Sequence, residues 1–457
     1  MKFAKFKALK MGLRPGCGAL SFGLLLSLSG CGGAGGGTSA STGSTSTSAS
    51  TLTTSTSLSA IAQLGKKIFF DPSLSASGQV ACATCHDPAQ HYGPANTLSV
   101  QFGGPTLTAT GIRQAPQITY AYRNPIFSIG PDTSTQENIN VAQVAASSSS
   151  TTIPQKVAGG SASSTAMVPQ GGLFLDGRVD TLQAQADGPL FNPAEMANTN
   201  VNDLVTKLAK SSYADDFKQI FGSNVFSNPQ MLLSEAEGAI ARFEFEDASF
   251  HAFNSKYDYY LAGKTQLTAS ELNGLKLFED PAKGNCAACH LDKKTADGQP
   301  PMFTDFQYEA LGVPRNSAIP ANADPTFYDL GLCGPVRTDL TAQTNYCGMF
   351  RTPSLRNVST RKVYFHNGIY KSLNDVMQFY MLRDITPEQF YSRDSNGSVL
   401  KFNDIPALYQ ANVDTTDAPF NRKPGDSPAL STSEIADVIA FLNTLTDGFQ
   451  SANAYAP

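Results

Sequence analysis

The sequence predicts a mainly α-helical protein built from two like domains, and two observations carry that expectation. The pentapeptide Cys82-Ala83-Thr84-Cys85-His86 returns as Cys286-Ala287-Ala288-Cys289-His290. The segments leading into the two copies, Leu58 to Pro72 (LSAIAQLGKKIFFDP) and Leu267 to Pro281 (LTASELNGLKLFEDP), agree at seven of fifteen positions at a constant offset of 209. C-x-x-C-H is the attachment signature of c-type haem: two cysteines form thioethers with the porphyrin, and the adjacent imidazole is set beneath the iron. A four-thiolate zinc site or a thioredoxin-like redox pair would use the same cysteines. Neither explains a His directly after the second Cys in both copies. Each domain is therefore expected to wrap one covalent haem.

In chain order, the first stretch stands outside these domains. Lys2, Lys5, Lys7, Lys10 and Arg14 precede an apolar run, Ala19 to Leu28, that is too short to span a bilayer. It ends in Leu28-Ser29-Gly30-Cys31, which resembles a bacterial lipobox. Residues 1–30 are thus expected to be a lipoprotein signal peptide, cleaved before a lipidated Cys31, with an ordinary signal peptide cut nearby as the alternative. Residues 31–57 are almost entirely Gly, Ser, Thr and Ala, a flexible tether. The expected location is the periplasmic side or cell surface, anchored to a bacterial membrane by lipid alone. Loss of the leader would leave 28 basic against 38 acidic side chains, a net charge of −10. That charge suits a basic redox partner and argues against nucleic acid.

The repeat sets the boundaries: an N-terminal haem domain at 58–262 and a C-terminal one at 263–457. Each repeat copy reads as a short amphipathic helix stopped by Asp-Pro, followed by a loop into its haem motif. Helical periodicity also covers Leu233 to Phe253. Ser431-x-x-Glu434 reads as a capping box, with Ile435, Val438, Ile439, Leu442 and Leu445 on one face and Gly448 as the stop. The Ser/Thr/Gly/Ala-rich segment 131–171 is expected to be a poorly ordered surface insertion.

The segments after each motif add a resemblance. Gly111 to Pro116 (GIRQAP), Phe174 to Arg178 (FLDGR), Gln185 to Met196 (QADGPLFNPAEM), Phe350 to Val358 (FRTPSLRNV), Tyr364 to Gly368 (YFHNG) and Ser372 to Tyr380 (SLNDVMQFY) stand in order along the chain. In these stretches the sequence resembles bacterial di-haem cytochrome c peroxidases, in particular the MauG-like branch. The resemblance implies two cytochrome c-like haem domains with the active site at their interface. It places peroxide chemistry at the N-terminal haem, with His86 as proximal ligand, and electron transfer at the C-terminal haem, with His290. It also implies that Glu195 is the catalytic carboxylate and that Gln185 and Pro189 line its pocket.

Classical members of the family carry a distal His where this chain has Phe102, so the first iron is expected to be open, as in the MauG-like type. His91 is expected on the surface or the propionate side. The far ligand of the second iron is expected to be Tyr380, with Met381 the rival one residue on. The family's Trp between the haems is Leu175 here, in a chain with no Trp at all. A calcium ion between the domains would be held by Gln114 and by the carbonyls of Arg361 and Val363. Cys333 and Cys347 lack a neighbouring His and are expected to form a disulfide.

Three functions fit this pattern. The first is reduction of hydrogen peroxide with electrons from a cytochrome c or cupredoxin. The second is MauG-like, peroxide-dependent oxidation of side chains on a partner protein. The third is non-enzymatic electron transfer.

Overall fold

In the computed structural model, which describes residues 57–132, 167–295 and 298–450, the two repeat copies are the helices Ala60–Phe69 and Ala269–Glu279. The expected signal peptide, Cys31 and nearly all of the tether lie outside the described residues. Both helices begin on a hydroxyl cap. Ser59 accepts from the Ala62 amide, and Thr268 forms a reciprocal capping box with Glu271. Both end at the repeated Asp, whose carboxylate accepts from an amide two residues on, that of Ser73 or of Ala282.

Each repeat helix lies against a second helix of its own half. Ala60–Phe69 packs on Pro229–Glu246, and Ala269–Glu279 packs on Thr432–Asn443. The shared glycine of the repeat is the point of closest approach. A Cβ at Gly65 would stand 1.8 Å from the Ala239 carbonyl oxygen, and one at Gly274 would stand 1.9 Å from that of Asp437. The repeat's shared phenylalanines, Phe69 and Phe278, are buried in separate cores. Phe69 joins Leu204, Phe217, Phe243 and Phe250, whereas Phe278 joins Phe303, Val438, Phe441 and Leu445.

The described residues are mainly α, and their strands form three short antiparallel pairs. One of these pairs narrows the expected surface insertion at 131–171. Ser128–Pro131 pairs with Met167–Gln170, and Gln170 and Val168 are buried, so both ends of the segment belong to a packed ribbon. Its middle, 133–166, lies outside the described residues.

Two helix limits also differ from the periodicity. The Leu233 to Phe253 pattern becomes a helix that starts at Pro229 behind an Asn228 cap and stops at Glu246. There Asp247 turns to accept from the Ser249 amide and opens a new turn. The capping box of Ser431 and Glu434 forms, but the helix closes at Asn443, well before Gly448. The Thr444 hydroxyl donates to the Phe441 carbonyl at 2.6 Å and satisfies a carbonyl of the last turn.

Cys333 and Cys347 are disulfide-bonded, with Cα atoms 4.9 Å apart. They sit in a small core with Leu332, Leu340, Tyr346 and Met349.

Candidate active site

The two pentapeptides adopt one arrangement. Each forms a single turn in which the His amide donates 2.9 Å back to the carbonyl of the first Cys. The imidazole Nδ1 is then pinned by a backbone carbonyl, His86 by Tyr92 at 3.1 Å and His290 by Phe303 at 2.9 Å. That bond makes Nδ1 the protonated nitrogen, and a second backbone carbonyl, Pro116 for His86 and Pro353 for His290, also stands against each ring. Burial keeps both rings neutral: it lowers the pKa of His86 and takes that of His290 down to about 4. A neutral imidazole whose Nδ1 is pinned, beside two thiols, suits a covalently held haem iron.

The thiols fit the other uses of these cysteines less well. Cys82, Cys85, Cys286 and Cys289 are all free. Burial pushes Cys82 to about 12, Cys85 to about 11 and Cys286 to about 12, and drives Cys289 well up. A thioredoxin-like pair needs a thiol lowered toward neutrality. Among the described residues no three His, Cys, Asp or Glu side chains are grouped to hold a metal ion, so the thiols do not gather into a zinc site.

Around the first motif, Glu195 stands close enough to act electrostatically on Cys85 and Cys82. Asn192 Nδ2 donates 2.6 Å to its Oε1. Burial raises the Glu195 pKa, against the Asn192 hydrogen bond and the Arg178 charge. Its backbone is seated on the Phe102–Gly103 strand: Gly104 donates 2.8 Å to the Glu195 carbonyl, and a Cβ at Gly103 would meet the Ala194 carbonyl oxygen at 2.3 Å. Phe102 is 50% exposed beside it. Gln185 and Pro189 lie on the helix Leu182–Phe191, whose Pro189 carbonyl accepts from the Met196 amide at 3.1 Å. His91 follows His86 on the same loop, half-buried, in a left-handed conformation with φ 51° and with Nδ1 unpartnered.

One residue here escaped the sequence reading. Glu244 is buried, raises the pKa of both Cys82 and Tyr92, and is itself pushed to about 8 by burial. Its signal was its register, seven residues after Glu237 within the apolar stripe of Ala236, Ile240 and Phe243.

The second motif opens on a cleft enclosing about 1820 Å³, open solvent included. Phe278, Met377, Val438 and Leu442 make it apolar around His290. The helix Leu373–Leu382 brings both Tyr380 and Met381 to its wall. Tyr380 stacks between Phe420 at 5.2 Å and Phe365 at 6.1 Å. Its hydroxyl has no hydrogen-bond partner among the described residues. Burial first, then Cys289 and Cys286, raise its pKa. Met381 is 1% exposed.

The far wall of that cleft joins several of the segments listed by sequence order above. Leu175 lines it, and its carbonyl accepts from the Arg351 amide at 2.9 Å. Behind it, Arg113 binds Asp329 through two hydrogen bonds of 2.6 and 2.8 Å and Asp176 through one of 2.6 Å. His366 stacks on Phe350 at 3.8 Å, with Nε2 3.3 Å from Asp404. Gln114 is buried with Oε1 unpartnered, and its amide donates 2.8 Å to the His366 carbonyl. The Arg361 carbonyl accepts from the Tyr364 hydroxyl at 3.1 Å, and the Val363 carbonyl from Arg361 Nε at 3.4 Å.

Comparison with known proteins agrees with this geometry. The family model for di-haem cytochrome c peroxidase matches residues 59–266. The methylamine utilization protein MauG of Paracoccus denitrificans is 30% identical over 329 residues, covering 70% of this chain and 74% of that one. Cytochrome c551 peroxidase of Nitrosomonas europaea is 28% identical over 323 residues, covering 70% and 72%. The crystal structure of the diheme peroxidase BthA from Burkholderia thailandensis superposes with a TM-score of 0.71 at 34% identity, covering 85% of this chain and 86% of that one.

Proposed function

We propose a division of labour between two sites in this chain, which belongs to the di-haem cytochrome c peroxidase family and is a peroxidase-type oxidoreductase. Hydrogen peroxide is handled at the His86 site, and electrons arrive through the His290 site. One observation carries this reading: a buried carboxylate, Glu195, is fixed by Asn192 beside the first Cys pair. The second site instead faces a phenol and a thioether.

A bound c-type haem supplies an iron that takes a peroxide oxygen and accepts electrons. The chain's own residues do the rest. Glu195, in its ionised form, takes the proton from the inner oxygen of peroxide and returns it to the outer one. Asn192 aims that carboxylate, and the nearby charge of Arg178 favours its ionised form. Gln185 and Pro189 line the pocket. Phe102, at the position of the family's distal His, supplies no ligand, so the peroxide face stays open. In the second site His290 and Tyr380 would hold a bound haem's iron, Met381 being the rival to Tyr380. The free phenol oxygen of Tyr380, facing the cysteine pair, supports the choice.

The reading includes two haem domains, 58–262 and 263–457, and the separate cores behind each motif support it. A cytochrome c or cupredoxin then serves as donor. Oxidation of a partner protein is the second reading, favoured by a Tyr380 ligand and by the likeness to MauG. No helix among the described residues is long and apolar enough to cross a membrane. We place the protein on the periplasmic side, tethered through Cys31.

The test is Glu195→Gln. Peroxide turnover should fall by roughly 10²- to 10⁴-fold, the range for removal of a general acid–base group, with the resting absorption spectrum unchanged. Turnover equal to wild type would remove Glu195 from the mechanism.

A further inference from the structure

The residues expected to hold calcium do not fit that ion. Calcium takes six to eight oxygens and favours carboxylates. Gln114 Oε1, buried and unpartnered, would serve as one donor. The other two expected oxygens are engaged: the Val363 carbonyl faces the Arg361 guanidinium, and the Arg361 carbonyl holds the Tyr364 hydroxyl. Two carboxylates of this cleft, Asp329 and Asp404, are committed elsewhere, Asp329 to Arg113 and Asp404 to Asn367 and His366. Arg361 itself is a cation on the cleft wall with no ion pair among the described residues. Burial disfavours its charge, and no carboxylate counters that. A guanidinium nonetheless stays protonated in proteins.

We propose that Arg361 is the resident cation of the cleft around His290, its guanidinium standing where a calcium ion was expected, so that the protein binds no calcium there. A second, divalent charge held by Gln114 and the carbonyls of Arg361 and Val363 would meet a fixed like charge, and none of those three donors is a carboxylate. Arg361 and His290 line the same cleft, so the guanidinium would be available to a carboxylate of a haem bound there. Arg–carboxylate pairing is the strong, planar kind. The inference goes beyond the proposed function, because calcium content does not depend on turnover or on the electron donor.

The experiment measures calcium per chain in the purified haem-loaded protein after dialysis against calcium, together with calorimetric titration and treatment with a chelator. No stoichiometric calcium, no binding heat and an unchanged absorption spectrum in chelator are expected. About one calcium per chain, or a chelator-induced spectral change, would overturn the proposal. Redox titration supplies an independent readout. Arg361→Gln should shift the midpoint potential of one haem to a more negative value, since a nearby cation favours the reduced state, while Arg361→Lys should keep most of the wild-type value. Equal potentials in wild type and Arg361→Gln would also overturn it. If Arg361→Gln fails to fold, the calcium content of the wild-type protein decides.

Discussion

Glu195 shows what a single residue's surroundings add to its identity. Burial raises its pKa, while Asn192 and Arg178 pull the other way, and burial wins. The base form is the one that takes a proton from peroxide. Activity should therefore rise with pH along a limb that lies above the ordinary carboxylate value, and Glu195→Gln should abolish that limb. A pH profile of kcat/KM for peroxide checks this. That His86 and His290 sit on equivalent turns, and Glu195 near the first Cys pair, was open to a reading of motif spacing. Glu244 was not, since a Glu in a helix is usually solvated, and only tertiary packing turns that face inward. The proposed misfit at the calcium position lay out of reach for a similar reason. Carbonyl donors leave no trace in side-chain identity, and a basic residue at 361 acquires meaning only once its guanidinium is seen against Val363.

At the scale of elements, the repeat told more than its identities suggested. Seven shared positions mark two helices, and the shared glycine marks where each helix backbone meets its partner's. Gly65→Ala or Gly274→Ala would drive a methyl into a backbone carbonyl rather than into a side chain that can turn away. Each is expected to cost about 1–3 kcal/mol or more, as overpacking does, read as a lowered midpoint in thermal or denaturant unfolding. An unchanged midpoint for both would mean that the helix pairs are looser than described. Helix ends were less legible. Asp247 and Thr444 close their helices through side-chain hydrogen bonds that compete locally with further turns, and periodicity alone does not register that competition. The ribbon made by Ser128–Pro131 and Met167–Gln170 was missed because the Ser/Thr-rich run between its strands masks a pairing across 35 intervening residues.

Across the whole molecule, two motifs 204 residues apart each open on a separate core, and Gln114, Leu175 and His366 bring distant segments of the chain to the wall of the second cleft. The asymmetry between the sites is the functional point. The first has a carboxylate and Phe102, and the second has Tyr380 and Met381. With Leu175 at the wall and no Trp in the chain, no indole is available to share charge between the sites. Electron paramagnetic resonance of the ferric protein, before and after one equivalent of peroxide and beside Tyr380→Phe, tests this asymmetry most directly. One high-spin signal that peroxide removes, with one low-spin signal that Tyr380→Phe changes, is expected. Two low-spin signals, indifferent to peroxide and to Tyr380→Phe, would contradict both an open His86 site and a Tyr380 ligand.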